Sequence, residues 1–591
     1  MEWYLRRYNE EEKGFRFRFL ILVLLLVVGF LVVFLGLLYV NLFSEKILQE
    51  AEKYYKSVVS IKVPKYRGRI EDKEGITLAV SYPVGVVYIT SFQSFGKNEE
   101  EKAVLKEKLE KFVKKLSEIS GVPEKELRKV IDKNKDRNFF ELAEIPYEKI
   151  DDVRALRRMI DYDEEKRSFT EPFLSSYVGV DFKYKRFYPH GSFASNLIGF
   201  IRKDGTGGEG LELQFNELLT GSNRGWEKYY IYKDRKIKLV EPIYDFLNLP
   251  QDLRTSLDFK LQSTVEEIKK EIVRDWKPNR VIIIVMESAT GKIRAYATYP
   301  DYDPNNYLEY YPYKTKNFGV SELYEPGSTF KPFLIAYALN KRIISYDTPI
   351  FINKGRMEIN KKTLADISNY LRKRDYITPR ELLIYSSNVG AARIGLSLKP
   401  ENYLELLKVF HLNSTPGVLI GEEQPKIPDL QNEVNRAYLA IGQGMSLNAL
   451  HLLTSFNALI RGELVYPSVL ESEEVKKETI NISPQVISWI REALIDVVEK
   501  GTGRGARSEL FFVGGKTGTA QKYDPRLRRY SKTRLTTYFV GFFPKEPKFV
   551  AVILVDEPKG EGIFGGTVSA PYFKKLVEKT AILYNLKPDK K

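Results

Sequence analysis

The chain has 591 residues, of which 43% are hydrophobic and 13% aromatic, enough apolar material for two or more globular domains. It has no cysteine and three scattered histidines, which argues against disulfide scaffolds, cysteine nucleophiles and the usual zinc sites. The formal net charge is +15, but basic and acidic residues are interspersed, so we expect no nucleic-acid partner.

Residues 19–40 form an unbroken run of uncharged, mostly aliphatic side chains. One helix of this length crosses the roughly 30 Å hydrocarbon core of a membrane. The run is longer than the apolar part of a cleaved signal peptide, so we expect it to be retained. More basic residues precede it than follow it closely, which keeps residues 1–18 in the cytoplasm and the remainder outside. These residues are Arg6, Arg7, Lys13, Arg16 and Arg18 before the run, and Lys46, Lys53 and Lys56 after it.

The next part of the chain predicts a mixture of short strands, a helix and loops. Residues 63–79 predict a β-hairpin with its turn between Asp72 and Gly75. Residues 99–116 predict an amphipathic helix. Glycine is too frequent in residues 186–225 for a continuous helix or sheet, which predicts loops and short elements. A phosphate-binding loop is disfavoured there, because no Gly-Lys-Ser/Thr follows.

A second folded region is predicted to begin near Asp252. Residues 255–258 precede a predicted helix that starts at about Leu261. Residues 281–286 and 292–299 predict the two strands of a β-hairpin. Near the end of the chain, two β-rich runs and a closing helix are predicted, at residues 535–543, at residues 549–555 and after Pro571.

Between these elements, residues 324–339 read YEPGSTFKPFLIAYAL and place Ser328 and Lys331 three apart. A Pro-Gly pair precedes Ser328 and apolar residues recur after it at helical spacing, so a helix should begin close to Ser328. Residues i and i+3 share a face, and unpaired N–H groups at a helix N-terminus favour developing negative charge. Ser328 is therefore a candidate nucleophile. Ser94 begins the same Ser-x-x-Lys pattern in a polar loop, so the pattern alone is weak.

Two further motifs follow in order, Ser386-Ser387-Asn388 and then Lys516-Thr517-Gly518-Thr519. Each is weak alone, since Ser-x-Asn also begins at Ser446 and Ser455, and Lys-Thr-Gly could be an ordinary glycine turn. The ordered set of three is the signature of penicillin-binding proteins and serine β-lactamases. The chain resembles that superfamily.

Other segments make the resemblance specific to class B penicillin-binding proteins. Residues 67–72 are similar to the family's Arg-Gly-x-Ile-x-Asp motif, and residues 186–225 to its Arg-x-Tyr-Pro and Gly-x-Glu motifs. Residues 301–305 are also similar to the family. The resemblance covers nearly all of residues 60–580.

The resemblance implies an α+β multidomain fold with a transpeptidase domain built on an antiparallel sheet flanked by helices. The implied segments are a cytoplasmic tail at 1–18, a transmembrane helix at 19–40, a mixed pedestal (dimerisation-type) domain at 41–245, the transpeptidase domain at 246–580 and a C-terminal tail at 581–591. The implied activity is serine-type D,D-transpeptidation of peptidoglycan, which β-lactams inhibit and which needs no metal or cofactor. Ser328 would attack the D-alanyl-D-alanine end of a stem peptide and pass the acyl group to an amine on a neighbouring strand.

The chemistry of the side chains suits these roles. With no histidine near Ser328 in the sequence, Lys331 is the candidate base, and burial and the charge of Lys516 would favour its neutral form. Ser386 can relay a proton toward the leaving amine. Asn388 offers an amide to the substrate peptide and to Lys331.

The third motif suits a terminal carboxylate. Lys516 and Thr517 present a cation and a hydroxyl to such an anion, and Gly518 lets the backbone approach. By resemblance, the N–H groups of Ser328 and Thr519 form the oxyanion hole, a device worth roughly 3 kcal/mol per donor.

Other classes fit less well. A membrane β-lactam sensor needs a sizeable intracellular part, which residues 1–18 cannot supply. A secreted β-lactamase needs neither an anchor nor a pedestal, and a non-catalytic scaffold would not need intact motifs. Bifunctional class A enzymes carry a glycosyltransferase domain where this chain has pedestal motifs.

Residues 317–328, 555–558 and 565–571 are more similar to septal than to elongation-specific enzymes, whereas residues 441–444 fit both. The resemblance therefore implies a division enzyme in the bacterial inner membrane, with its catalytic domain in the periplasm and elongation as the alternative. Implied partners are stem peptides, nascent glycan strands, membrane lipid, other division proteins and a polytopic glycan polymerase of the shape, elongation, division and sporulation family. Gly29 and Gly36 would allow close helix approach to that polymerase, and a plain lipid anchor is the alternative.

Overall fold

The computed structural model describes residues 19–39, 58–62, 66–90, 96–221, 226–231, 237–238, 249–360, 362–524 and 529–590. Outside these ranges lie the basic residues flanking the apolar run, and Ser94: Arg6, Arg7, Lys13, Arg16, Arg18, Lys46, Lys53, Lys56 and Ser94. The strands are β1 Val58–Lys62, β2 Ile70–Glu71, β3 Thr77–Thr90, β4 Phe139–Pro146, β5 Tyr162–Asp163, β6 Ser168–Phe169, β7 Val178–Phe187, β8 Trp226–Ile231, β9 Ile237–Lys238, β10 Leu253–Arg254, β11 Arg280–Glu287, β12 Ile293–Tyr299, β13 Ile350–Phe351, β14 Arg356–Ile359, β15 Lys362–Ala365, β16 Tyr376–Ile377, β17 Glu463–Val465, β18 Lys477–Thr479, β19 Gly514–Asp524, β20 Arg529–Phe543 and β21 Phe549–Asp556.

The helices alternate with these strands along the chain. They are α1 Phe19–Tyr39, α2 Glu99–Ser120, α3 Glu124–Asn134, α4 Ile150–Asp161, α5 Ser195–Ile198, α6 Gly210–Gln214, α7 Asn216–Thr220, α8 Phe259–Trp276, α9 Phe318–Ser321, α10 Lys331–Asn340, α11 Pro379–Tyr385, α12 Asn388–Ser397, α13 Pro400–Val409, α14 Glu433–Leu439, α15 Ala449–Arg461, α16 Pro484–Lys500, α17 Gly565–Val568 and α18 Ala570–Leu583.

The chain divides into two compact units, residues 1–65 with 222–247, and residues 66–221 with 248–591. The smaller unit contains α1 and an antiparallel sheet in the order β1-β8-β9. Helix α1 has a mean hydropathy of 3.4 and no buried residue, and it is long and apolar enough to cross a membrane.

The N-terminal part of the larger unit is built around the long strand β3, which pairs with β2, β4 and β7, all antiparallel. The β2–β3 pair confirms the hairpin predicted at residues 63–79. Helix α2 confirms the predicted amphipathic helix, because its expected apolar face is buried at Leu105, Leu109, Phe112, Val113 and Leu116. Three short helices, α5 to α7, occupy the glycine-rich stretch, as expected.

A buried ionic cluster ties distant parts of this region together. Glu212 is completely buried, and its two carboxylate oxygens accept from Arg67 Nε at 2.5 Å and Arg186 Nε at 2.7 Å. Two cations around one carboxylate compensate the cost of burying the charge. Next to Arg186, the backbone N–H and C=O of Tyr188 both bond the side chain of Asn305, at 3.0 Å each. Ion pairs and hydrogen bonds therefore connect the motif segments near residues 67, 186 and 305.

The core of the second region is an antiparallel sheet in the order β12-β11-β21-β20-β19. Every residue of β21 is buried, and alternate residues face opposite sides. Val550, Val552 and Leu554 join the core that contains α10 and α15. Val555 and Ile553 join a second core with α8 and α18. The expected antiparallel sheet with helices on both faces is thus confirmed, and β19 forms one of its edges.

Candidate active site

Ser328 lies in a 3₁₀ turn, Gly327–Phe330, that continues directly into α10. Gly327 has φ +55° and donates its N–H to Gly442 O at 2.9 Å. A Cβ built on Gly442 would lie 1.9 Å from Gly327 O, so only glycine fits there. Residues 331–339 are buried, which anchors the helix, while Ser328 is half-buried. The predicted helix start near Ser328 is confirmed.

Edge strand β19 lies directly against this turn. A Cβ built on Gly518 would lie 3.0 Å from Pro326 O, and one on Gly327 would lie 3.2 Å from Thr519 O. The absence of a side chain at Gly518 thus allows the close backbone approach expected from the sequence. The backbones at Ser328 and Thr519, the two predicted oxyanion donors, belong to these adjoining segments.

Lys331 is completely buried on the first turn of α10. Its Nζ lies 2.7 Å from Ser386 O, 2.7 Å from Asn388 Oδ1 and 3.3 Å from Ser386 Oγ. Burial lowers the pKa of the Lys331 amine to about 7. A neutral amine has two N–H bonds, which match the two short contacts with oxygen acceptors, and one lone pair. That lone pair can take a hydroxyl proton.

Ser386 lies between two lysines. Lys516 Nζ donates to Ser386 Oγ at 3.0 Å, and Lys331 Nζ lies 3.3 Å from the same oxygen. Lys516 is also completely buried, and burial together with the neighbouring Lys331 holds its pKa well below the usual range. Ser386 adopts a left-handed conformation, φ +59°, at the C-terminal end of α11, which aims its side chain between the two amines. These contacts join Lys331, Ser386, Asn388 and Lys516, and Ser328 lies three residues before Lys331 in the adjoining 3₁₀ turn.

Thr517 and Thr519 lie on β19 beyond Lys516. The Thr517 hydroxyl donates to Thr502 Oγ1 at 2.9 Å, and Thr519 Oγ1 accepts from Gly565 N at 3.0 Å. Both contacts reach residues outside the three catalytic motifs. Thr519 is half-buried, whereas Thr517 is 7% exposed.

Asp366 is a functional candidate that no sequence pattern indicated. It is 1% exposed, and its carboxylate accepts from Ser387 Oγ at 2.8 Å, Asn388 N at 2.5 Å and Val389 N at 3.1 Å. These N–H groups belong to the first turn of α12, where a carboxylate stabilises the helix. Asp366 thereby holds the loop that carries Ser386 and Asn388. Its charge also acts to raise the pKa of Lys331, against the larger effect of burial.

Replacing Asp366 by Ala should lower both stability and activity. The loss of buried, charge-assisted hydrogen bonds should cost about 3 kcal/mol, measured by thermal or denaturant unfolding. Loosening the loop should slow acylation by a β-lactam about tenfold or more at every pH.

Asp366→Asn provides the matched control for charge. It keeps an oxygen acceptor but removes the negative charge that favours protonated Lys331. The acid limb of the acylation pH profile should therefore move to lower pH, because the pKa of Lys331 falls further. An unchanged profile in Asp366→Asn, with full activity in Asp366→Ala, would show that Asp366 does not support the loop.

Glu325 is a second candidate that sequence analysis missed. Its Oε1 accepts from Tyr530 OH at 2.9 Å and from Gly444 N at 3.1 Å. Burial raises the pKa of the Glu325 carboxyl. The side chain thus links the segment before Ser328 to the β19–β20 hairpin and to the Gly442–Gly444 loop.

The other residues weighed in the sequence lie elsewhere in the fold. Ser455 is buried and donates to His411 O, and Ser446 forms a backbone bridge with Lys426. His190 contacts Thr77 O at 3.1 Å, and its ring lies at a tilt against the rings of Phe193 and Phe259.

Comparison with known proteins agrees with this geometry. The family model described as the penicillin-binding protein transpeptidase domain matches residues 281–578, and that of the penicillin-binding protein dimerisation domain matches residues 62–242. The chain is 29% identical to "Peptidoglycan D,D-transpeptidase FtsI" of Buchnera aphidicola subsp. Baizongia pistaciae, over 88% of each chain. It is 27% identical to "Probable peptidoglycan D,D-transpeptidase PbpC" of Pseudomonas aeruginosa, over 97% of this chain and 96% of that one.

A third relative is "Stage V sporulation protein D" of Bacillus subtilis, 29% identical over 97% of this chain and 87% of that one. Among solved structures, penicillin binding protein 3 of Mycobacterium tuberculosis complexed with aztreonam matches with a TM-score of 0.62 and 20% identity. That match covers 90% of this chain and 98% of the other, and it supports a common fold.

Proposed function

The chain belongs to the class B penicillin-binding protein family, and from this premise we propose that it cross-links peptidoglycan at the division septum as a serine D,D-transpeptidase. The observation that carries the proposal is that two buried lysines, Lys331 and Lys516, both contact Ser386 Oγ, and that Lys331 follows Ser328 by one helical turn. Relatives named peptidoglycan D,D-transpeptidase support it.

In the first step, Ser328 Oγ attacks the carbonyl carbon of the D-alanyl-D-alanine bond. The hydroxyl proton passes to the neutral amine of Lys331, which burial keeps partly unprotonated near pH 7. The negative charge that develops on the carbonyl oxygen is stabilised by the N–H groups of Ser328 and Thr519. This step forms the Ser328 ester bond.

In the second step, the C–N bond breaks and D-alanine leaves. The leaving amine needs a proton, and Ser386 Oγ lies between Lys331 and Lys516, so it can pass one on and regain one from a lysine. The terminal carboxylate of the substrate pairs with Lys516 and Thr517. Because this anion favours the charged form of Lys516, its binding opposes protonation of Lys331 and so supports the base.

In the third step, the amine of a neighbouring stem peptide attacks the ester carbonyl. Lys331 and Ser386 take up the proton that the amine loses, and Ser328 regains its hydroxyl proton. The product is an amide cross-link. A β-lactam also combines an amide carbonyl with a carboxylate, and the strain of its four-membered ring makes that carbonyl reactive, so it acylates the same serine.

Sequence similarity supports the septal role, and the apolar helix α1 supports the membrane anchorage. Residues 317–328, 555–558 and 565–571 are similar to septal enzymes, and the Buchnera aphidicola relative is named FtsI. Helix α1 is the membrane anchor, with residues 1–18 in the cytoplasm and the catalytic region outside the inner membrane. Gly29 and Gly36 have open space around them and suit close contact with a polytopic glycan polymerase.

Depletion of the protein in its own host tests this function. Filaments without septa are expected, and expression of the wild-type chain should restore division whereas Ser328→Ala should not. Swollen, rounded cells that still divide would assign the enzyme to elongation. Cells that grow and divide normally would assign it to a specialised process, as the name of the sporulation relative implies for that protein.

A further inference from the structure

Thr502 lies beside the proposed carboxylate site although it belongs to none of the three motifs. Its Oγ1 accepts the hydrogen bond from Thr517 Oγ1 at 2.9 Å. Thr502 is the exposed member of this pair and Thr517 the buried one. The pair therefore runs from the solvent to the residue proposed to bind the substrate carboxylate.

The backbone around Thr502 holds it firmly in this position. Thr502 N donates to Ile384 O at 3.1 Å, two residues before Ser386. A Cβ built on Gly501 would lie 2.2 Å from Ile384 O, and one on Gly566 would lie 2.5 Å from Thr502 O. Close backbone contacts on both sides fix the backbone at Thr502, and in this position its hydroxyl lies within hydrogen-bond distance of Thr517.

The direction of the hydrogen bond between Thr502 and Thr517 depends on what else Thr517 donates to. Each threonine hydroxyl has one proton, and that of Thr517 is directed to Thr502 in this structure. A carboxylate has no proton and can only accept. Thr517 can donate to the substrate only if it turns its proton away from Thr502, and its oxygen can then accept the proton of Thr502.

We propose that Thr502 is a positioning residue of the carboxylate site, a proposal that rests on the proposed function. When the C-terminal carboxylate of a stem peptide or a penicillin binds beside Lys516, Thr517 donates to the anion and Thr502 donates to Thr517 Oγ1. Hydrogen bonds in a chain polarise one another, so the bond accepted from Thr502 makes Thr517 a stronger donor. This strengthens recognition without placing a further cation beside Lys516, whose charge is the one that pairs with the carboxylate.

The test uses two substitutions and two ligands. Thr502→Val removes the hydroxyl at nearly the same volume, and Thr502→Ser keeps it. The second-order rate constant for acylation of the full-length, detergent-solubilised protein is measured with benzylpenicillin and with its methyl ester, in which the carboxylate is masked. Thr502→Val should lower the benzylpenicillin constant about tenfold, mainly through weaker binding, and leave the ester constant within about twofold. Thr502→Ser should behave like the wild type with both ligands.

Three results would overturn the role of Thr502. In Thr502→Val, the acylation constant could fall equally with the acid and the ester, or fall with neither. Thr502→Ser could also be as impaired as Thr502→Val. Benzylpenicillin that fails to acylate the wild type would overturn the proposed function, and this inference with it. The two failures are thus distinguishable, because the first leaves wild-type acylation intact.

Discussion

When the purified protein is exposed to penicillin, Ser328→Ala should carry no acyl adduct, whereas the wild type should carry a single adduct on the peptide that contains Ser328. The half-buried hydroxyl at the start of α10 is the proposed nucleophile, and alanine has no oxygen with which to form the ester. Intact-mass and peptide mass spectrometry measure this result directly. The expected effect is complete loss rather than a reduced rate.

The control is the unfolding free energy of Ser328→Ala, which shows whether the variant is folded. Ser328 is not among the buried core residues, so Ser328→Ala should unfold within about 0.5 kcal/mol of the wild type. Ser94, which begins the same short pattern, serves as an internal comparison and should remain unlabelled. An adduct on Ser94, or one that persists in a folded Ser328→Ala protein, would refute the assignment of the nucleophile.

Lys331→Arg should slow acylation by about a hundredfold to ten-thousandfold, the usual contribution of a general base. A guanidinium stays protonated at any accessible pH and cannot take the Ser328 proton, although it preserves the cation. The larger side chain must also fit a fully buried site with contacts to Ser386 and Asn388. Stopped-flow acylation kinetics with a chromogenic β-lactam measure the effect.

The pH profile of the wild type separates loss of the base from loss of packing. Burial sets the pKa of Lys331 at about 7, and the neutral amine is the reactive form. Acylation should therefore rise with pH and level off above about pH 8, and fall about tenfold per pH unit below about pH 6. A Lys331→Arg protein that is folded and acylates at near-native rates would show that the proton goes elsewhere.

Elements with strong periodicity were predictable from sequence, whereas long-range polar contacts were not. The apolar face of α2 repeats at helical spacing, the strands β11, β12 and β21 are short runs rich in strand-forming residues, and the structure confirms these elements. The partners of Lys331 are 55 and 57 residues away, so its burial and lowered pKa depend on how the chain folds. Asp366 and Thr502 are single polar residues whose contacts appear only in the folded site.

The domain boundary also depends on contacts between distant segments, which local sequence patterns do not reveal. The sequence predicts a pedestal that ends at residue 245, and that position stays a prediction because residues 239–248 lie outside the described ranges. Residues 66–221 group with residues 248–591 in one compact unit. Contacts such as Tyr188 with Asn305 and Arg67 with Glu212 join segments more than a hundred residues apart, and no local pattern encodes them.

The strand order of the central sheet determines when the site can form during synthesis. Strand β11, at residues 280–287, has β12 on one side, but its other neighbour is β21, at residues 549–556. The segments that carry Ser328 and Ser386 emerge from the ribosome before β19, β20 and β21 exist. Closing such a long loop is slow, since its entropy cost precedes the contacts that repay it. Until these strands are made, the growing chain holds a serine and a lysine without the edge strand, so the site around the nucleophile is assembled only after β19, β20 and β21 have been synthesised.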